Sequence, residues 1–457
     1  MTARQHRSGL AAAGILALAL TASACGTGGG TGGGTAAKGK TDPNASKPEC
    51  APFKTFQGHS GTNVSIYTSI LDIEADNYVA SFKPFEDCTG IKINYQGSSE
   101  FEAQLNVKVA GGNAPDIAFF PQPGLLQRFA KTGKLKVAPK ADEANVDANW
   151  SPAWKGYGSS DGKFYGAPMS ANVKSFVWYS PKQFKAKGYT IPATFDDMLK
   201  LSDKIAATGQ KPWCAGVESG AATGWTGTDW MEDMMLRTAG PDVYDQWVNH
   251  KIPFNDPQVV TAADKVAGIL KNNKYMNGGY GDYKTITTTS FQNGGLPILK
   301  GKCSLHRQAS FYSNQWPKGT KVTPDGDVFA FYFPPIDPTK GKPVLGGGEF
   351  VGAFTDRPEV QAVQTFLSTD TYANTRVKPG GWLSANKKLD PTLLQTPVEL
   401  ESFKILQDPK AIFRFDGAVQ MPAAVGSGSF WKGMTQWLSG KDTKSVLDEI
   451  EKSWPKA

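Results

Sequence analysis

Histidine is scarce in this 457-residue chain: His6, His59, His250 and His306 are the four, and no two stand at metal-ligand spacing. That shortage argues against zinc enzymes and against most hydrolases that use a histidine base. No metal and no cofactor is expected. Cysteine is nearly as rare, with five residues and no Cys-x-x-Cys spacing, which argues against redox catalysis and structural zinc. Long basic runs are missing too. The 49 Lys and Arg outnumber the 42 Asp and Glu, for a formal charge of +7, but they are scattered. Such scatter describes a mixed solvated surface, so no nucleic-acid partner is expected. Nor is there a shortage of core material. The chain is 40% apolar and 11% aromatic, which excludes global disorder.

Residues 9–24 form a small and apolar stretch of sixteen residues behind Arg4 and Arg7. A bilayer-spanning helix needs about 20 residues, so the stretch reads as a secretory signal, residues 1–24. It closes on Ala22-Ser23-Ala24-Cys25, which resembles a bacterial lipobox. The resemblance implies lipidation of Cys25 and attachment to the extracellular face of the bacterial membrane. The other reading is ordinary secretion, with cleavage after Ala-Ser-Ala. Residues 25–49 are glycine-rich at their start and read as a flexible tether. Within it, residues 34–41 satisfy the phosphate-loop pattern GxxxxGK[ST]. That chemistry needs a strand before and a helix after, whereas glycine repeats precede and Asp42-Pro43-Asn44 follows. Nucleotide binding is not expected.

The remaining cysteines, Cys50, Cys88, Cys214 and Cys303, are even in number, which in a secreted chain suggests two disulfides. Three pairings are possible. Cys50–Cys88 with Cys214–Cys303 is favoured because each pair stays within one part of the chain. Loop entropy assigns each bond about 4–5 kcal/mol.

Along the chain, strand and helix signals alternate. Strand-like residues 64–67, helical 73–85, strand 91–95, helical 101–109, strand 116–120 and helical 125–131 follow in order. This order predicts a parallel or mixed sheet covered by helices, with loops 97–100 and 121–124 at the carboxyl ends of strands, where ligands bind. Further strands are predicted at 163–168, 176–179, 328–333 and 346–354. Further helices are predicted at 194–207, 229–238, 256–272, 358–368, 397–407, 430–438 and 445–452.

Four stretches carry a resemblance: AGGNAPDIAFFPQPGLLQRFAKTGKL (110–135), GKFYGAPMSANVKSFVWYSPKQFKAKGY (162–189), ESGAATGWTGTDWMEDMMLRTAGPDVYDQW (218–247) and FDGAVQMPAAVGSGSFWKGMTQWLSGK (415–441). Together they resemble the sugar-binding lipoproteins of bacterial ABC importers, in the maltose/α-glucoside branch. The resemblance implies an α/β, two-lobe, type II periplasmic-binding-protein-like fold, each lobe a mixed sheet flanked by helices. Lobe one would be 60–168 with 334–372, and lobe two 173–330 with 374–457. Hinge crossings would lie near 168–173, 331–335 and 371–375. The implied partners are an oligosaccharide and the permease subunits of the transporter, with the protein a monomer. Maltose-type, isomaltose-type, trehalose and longer α-glucosides all remain open.

A pyranose presents an apolar C–H face to aromatic rings and hydroxyls to carboxylates, amides and guanidinium groups. Such residues on glycine-rich loops are the candidates. Trp225, Asp229, Trp382 and Trp431 are read this way, with the alternatives that Asp229 caps a helix and that the indoles are core. Gly348 and Glu349 stand at a glycine-rich strand start. Arg414 and Asp416 flank Phe415 and either contact sugar or pair with each other. Ser98, Glu100, Gln122 and Asn172 complete the set. A non-catalytic receptor is the favoured function, so the protein is not expected to be an enzyme. A secreted glycoside hydrolase using Asp229 with Glu349, and a receptor for a non-sugar solute, are the alternatives.

Overall fold

Alternation of apolar side chains decides how the strands are covered. In the computed structural model, residues 42–455 are described apart from 43, 280 and 410. The signal, Cys25, the phosphate-loop match and all of the tether before residue 42 lie outside the described residues. Strand β1 (Asn63–Thr68) sends Val64 and Ile66 to one face and Tyr67 to the other. After β2 (Lys92–Gly97), β3 (Ile117–Phe120) does the same with Ile117 and Phe119 against Ala118 and Phe120. A strand buried on both faces needs helices on both. They are α1 (Asp72–Thr89), which supplies Tyr78, Phe82 and Phe85 to one face, and α2 (Phe101–Ala110) and α3 (Pro123–Lys131), which cover the other.

The remaining strands are β4 (Ser159–Ser160), β5 (Lys163–Phe164), β6 (Gly166–Pro168), β7 (Asn172–Val173), β8 (Phe176–Tyr179), β9 (Trp213–Cys214), β10 (Met276–Asn277), β11 (Leu305–Arg307), β12 (Phe329–Tyr332), β13 (Lys342–Gly347), β14 (Phe350–Ala353) and β15 (Ala411–Phe415). The first sheet has the order β2-β1-β3-β14-β6, and a second has β10-β9-β11-β8-β12. In the first, β1 runs parallel to β2 and β3, while β14 is antiparallel to β3 and β6. In the second, β8 is antiparallel to both β11 and β12. Its Val177 and Tyr179 join a core built with the helices Trp225–Thr238 and Pro257–Leu270.

A third sheet, β15-β13-β7, lies on the chain's passages between the other two. One passage runs β6 to β7 to β8, the other β12 to β13 to β14. Here the structure corrects the single strand predicted over 346–354, which is two strands in different sheets. The break is at Gly348 and Glu349. A Cβ on Gly348 would lie 2.1 Å from the Ser170 carbonyl oxygen, so the two passages touch backbone to backbone there. The stretch 371–375, where a third crossing was expected, is inside the helix Asp370–Arg376, and its Tyr372 and Ala373 pack in the core against α1.

Both expected disulfides are formed. Cys50–Cys88 ties the turn Pro48–Phe56 to the end of α1, with Cα atoms 5.3 Å apart. Cys214–Cys303 links β9 to the residues before β11, with Cα atoms 5.8 Å apart.

Candidate functional site: an aromatic cavity

Because β1, β2 and β3 run parallel, their carboxyl ends share one edge. The residues that follow them, Ser69–Asp72 with Glu74, Ser99–Glu100 and Pro121–Gln122, all line a cavity of about 520 Å³. That volume falls in the range of roughly 300–1,000 Å³ typical of small-molecule sites. The linking strands add Ser170, Asn172, Lys174 and Gly347–Glu349. Glu218, Trp225, Phe291, Phe311, Trp382, Glu399, Asp416 and Trp431 complete the walls.

Three indoles line this cavity. Trp225 is half-buried and meets Phe291 edge-to-face at 5.1 Å. It stands one residue after Gly224, whose φ of +112° suits glycine alone, and a Cβ there would be 2.1 Å from the Trp431 carbonyl oxygen. The glycine therefore brings Trp225 and Trp431 to adjacent positions on two touching helices. The indole Nε1 of Trp431 is buried with no hydrogen-bond partner. Trp382 donates its Nε1–H to the Tyr78 hydroxyl at 2.9 Å, and the Arg376 guanidinium lies over both the Tyr78 and Trp382 rings, at 4.3 and 5.6 Å.

The polar lining divides into satisfied and unsatisfied groups. Lys174 donates to Asp229 at 2.7 Å and to Asp416, and its ammonium lies 5.2 Å from the Trp225 ring centre. Burial opposes its charge, but Asp229, Asp416 and Glu232 together hold its pKa above the ordinary lysine range. Burial pushes Asp229 up to about 6, against the pull of Lys174. Burial, then the neighbouring Asp416, keeps Glu232 well above its ordinary value, while that carboxyl accepts from the backbone N–H groups of Gly417 and Ala418. Asp229, Glu232 and Asp416 bring carboxylate oxygens within 4.8 Å of one another, a set that a cation would suit, and the Lys174 ammonium bonds two of the three. By contrast, Gln122 donates to Glu102 at 2.7 Å and leaves its own Oε1 and the other Glu102 oxygen buried without partners. Asn172 Oδ1 is buried and unpartnered as well.

Of the candidates read from sequence, Glu100, Gln122, Asn172, Trp225, Gly348, Glu349, Trp382, Asp416 and Trp431 line the cavity together. Ser98, Asp229 and Arg414 do not. Ser98 accepts the Glu100 N–H from the loop before it. Asp229 is fully buried behind Lys174 and caps no helix, because the helix begins at Trp225, four residues earlier. Arg414 forms a two-pronged pair with Asp245 at 2.7 and 2.9 Å, so it is not paired with Asp416. Sequence reading missed Glu74, Lys174, Glu218, Phe291, Phe311 and Glu399. The strand-end rule that found Glu100 and Gln122 finds Glu74 as well once applied to β1. Lys174, a lone cation in a passage between sheets, was visible too. Phe291 and Phe311 left no signal.

The sequence pattern of the family described as bacterial extracellular solute-binding protein matches residues 72–375. The chain belongs to this family. The solute-binding protein is 37% identical over 396 residues to the osmoprotective compounds-binding protein GgtB of Synechocystis sp. (strain ATCC 27184 / PCC 6803 / Kazusa), covering 86% of this chain and 92% of that one. It is 34% identical over 417 residues to the alpha-glucosides-binding periplasmic protein AglE of Rhizobium meliloti (strain 1021), covering 88% and 89%. Among solved structures, a chitin oligosaccharide binding protein superimposes with a TM-score of 0.71 at 19% identity, over 86% of this chain and 97% of that one. The fold is the type II periplasmic-binding-protein-like α/β fold, as the resemblance implied. The protein is an extracellular solute-binding protein of the kind that serves ABC transporters, a family of binders rather than enzymes.

Proposed function

We propose that this solute-binding protein captures an α-glucoside or a related small oligosaccharide and hands it, uncleaved, to permease subunits in the membrane. In this reading Cys25 carries the lipid anchor and the protein works as a monomer. Residues 60–168 with 334–372 and residues 173–330 with 374–457 form two lobes that close over the sugar. The observation that carries the reading is the lining: three tryptophans beside buried, unpartnered amide, carboxylate and indole groups in one cavity. Rings take the C–H face of a pyranose, and unpaired donors and acceptors take its hydroxyls. The relative AglE, an alpha-glucosides-binding periplasmic protein, supports the same ligand class.

A glycoside hydrolase is the second reading. The pair first nominated for it, Asp229 with Glu349, is not presented together, because Asp229 is fully buried on Lys174. Glu74 and Glu349 both line the cavity with raised carboxyl groups, however, which is the feature that favours it. A panel of trehalose, maltose, isomaltose and maltotriose separates the readings, with tryptophan fluorescence, melting temperature and glucose release followed together. A receptor gains about 2.7 kcal/mol at a ligand concentration 100 times its Kd and releases no glucose. Glucose release establishes the hydrolase instead. If no sugar of the panel binds, the α-glucoside reading fails.

A further inference from the structure

Among the cavity's carboxylates, Asp72 and Glu100 are exposed to water and Glu218 accepts from the Gly220 N–H, which sets apart the half-buried Glu74 and Glu349. Glu399 is occupied by the backbone N–H groups of Gly381, Gln395 and Thr396, and Asp416 by Lys174 and Val419. Glu102 is held by Gln122. Among the described residues, no other residue donates a hydrogen bond to the carboxylate of Glu74 or of Glu349. Glu74 comes from the first turn of α1, and Glu349 from the break between β13 and β14, so two unrelated segments converge on one cavity. The same cavity holds the unpartnered Gln122 Oε1 and Trp431 Nε1, both on side chains at most 4% exposed, which marks the space as one shaped for a polar ligand.

We infer that Glu74 and Glu349 act as a one-proton pair on the bound saccharide, the neutral carboxyl donating to the sugar and the ionised one accepting from a hydroxyl. This rests on the sugar-binding reading and deepens it by naming what sets the strength of capture. Two like charges in one partly dry space resist double ionisation. Burial raises Glu74 to about 7, with Arg376 pulling the other way. Burial and then the Glu74 charge raise Glu349 to about 8, against Lys174 and Arg376. Tyr78 of α1, Tyr95 of β2 and Tyr372 of the Asp370–Arg376 helix all titrate above their ordinary range because they are buried, and so are neutral here. Lys174 is already shared by two aspartates, and Glu399 is committed to backbone donors, leaving Arg376 as the nearby compensating cation.

The sign follows. Below about pH 7 both carboxyls carry protons in the free protein and binding must release one, whereas between about pH 7 and 8 the pair already holds the single proton that binding needs. Above about pH 8 both are charged in the free protein, and binding must take up a proton. Affinity is then expected to peak between about pH 7 and 8 and to fall on either side with a slope approaching tenfold per pH unit.

The experiment uses the panel sugar that binds best at about pH 7.5. Its Kd is measured from pH 6 to 9.5 for the wild type, Glu74→Gln and Glu349→Gln, with calorimetry at pH 9 in two buffers of different ionisation enthalpy. The wild type is expected to show the alkaline fall and to take up close to one proton per sugar at pH 9. Each glutamine variant supplies a fixed neutral donor and leaves one carboxyl to ionise, so the alkaline fall is expected to vanish and proton uptake at pH 9 to be near zero. A flat wild-type profile with no proton uptake overturns the inference while leaving the sugar reading intact. A glutamine variant that keeps the full alkaline fall overturns it too. Absence of binding at every pH sinks both. The calorimetric measurement needs no variant, so poor folding of either substitution does not block the test.

Discussion

At the scale of single residues, Lys174 does most to hold the cavity in shape. It joins Asp229 of the Trp225–Thr238 helix to Asp416 beyond β15, and it stacks beside Trp225. Removing its charge leaves two buried carboxylates facing each other, which typically costs 3–5 kcal/mol or about that order. Lys174→Met is therefore expected to lower the urea midpoint sharply, and the double variant Lys174→Met/Asp229→Asn to recover part of the loss. If the single variant unfolds like the wild type, the network does not carry the stability assigned to it. The same residue shows what a sequence hides. Aromatic and glycine signals announced Trp225, Trp382, Trp431 and Gly348, because those residue types have few structural reasons to cluster on loops. Partner choice left no such trace. Arg414 and Asp416 are two positions apart on a strand and its exit, yet each bonds a group far away in sequence, Asp245 and Lys174.

At the scale of elements, most strands and helices were legible because their burial follows their period. The helix predicted over 397–407 is observed as Pro397–Gln407, with Thr396 and Glu399 forming a capping box at its start. The helix predicted from 229 begins instead at Trp225, since Gly224 in a left-handed conformation opens it without a side-chain cap. Helices Lys140–Asn149, Pro152–Tyr157 and Pro241–Val248 were not read at all. The first has few apolar positions, with only Val146 buried among them, and the second is too short for a period to register. The entry of the Trp225–Thr238 helix is also where a small change should matter most. Gly224→Ala places a methyl group against the Trp431 carbonyl and strains a positive φ. A loss of about 2 kcal/mol or more is expected in chemical denaturation, accompanied by weaker sugar binding in the folded fraction. Retention of full affinity would mean that the spacing of the two indole-bearing helices is not what the ligand reads.

At the scale of the whole molecule, the order of strands and helices conveyed the fold class, but not how the chain moves between sheets. One glycine-rich run became the end of β13, a bend and then β14, because a period-two pattern cannot report a change of sheet. Both disulfides close loops inside one part of the structure, so neither bridges the two five-stranded sheets: Cys50–Cys88 belongs with the first, Cys214–Cys303 with the second. Cys50→Ser/Cys88→Ser is expected to lose about 4 kcal/mol of unfolding free energy by the loop-entropy argument, with the sugar affinity of the folded protein unchanged. A large change in affinity would show that the bond shapes the cavity through α1.

That bond also has a mechanical meaning. Cys88 is the penultimate residue of α1, and the opposite end of the same helix presents Glu74 to the cavity. A covalent path from Cys50 through the sulfur–sulfur link enters that helix directly and bypasses residues 51–87.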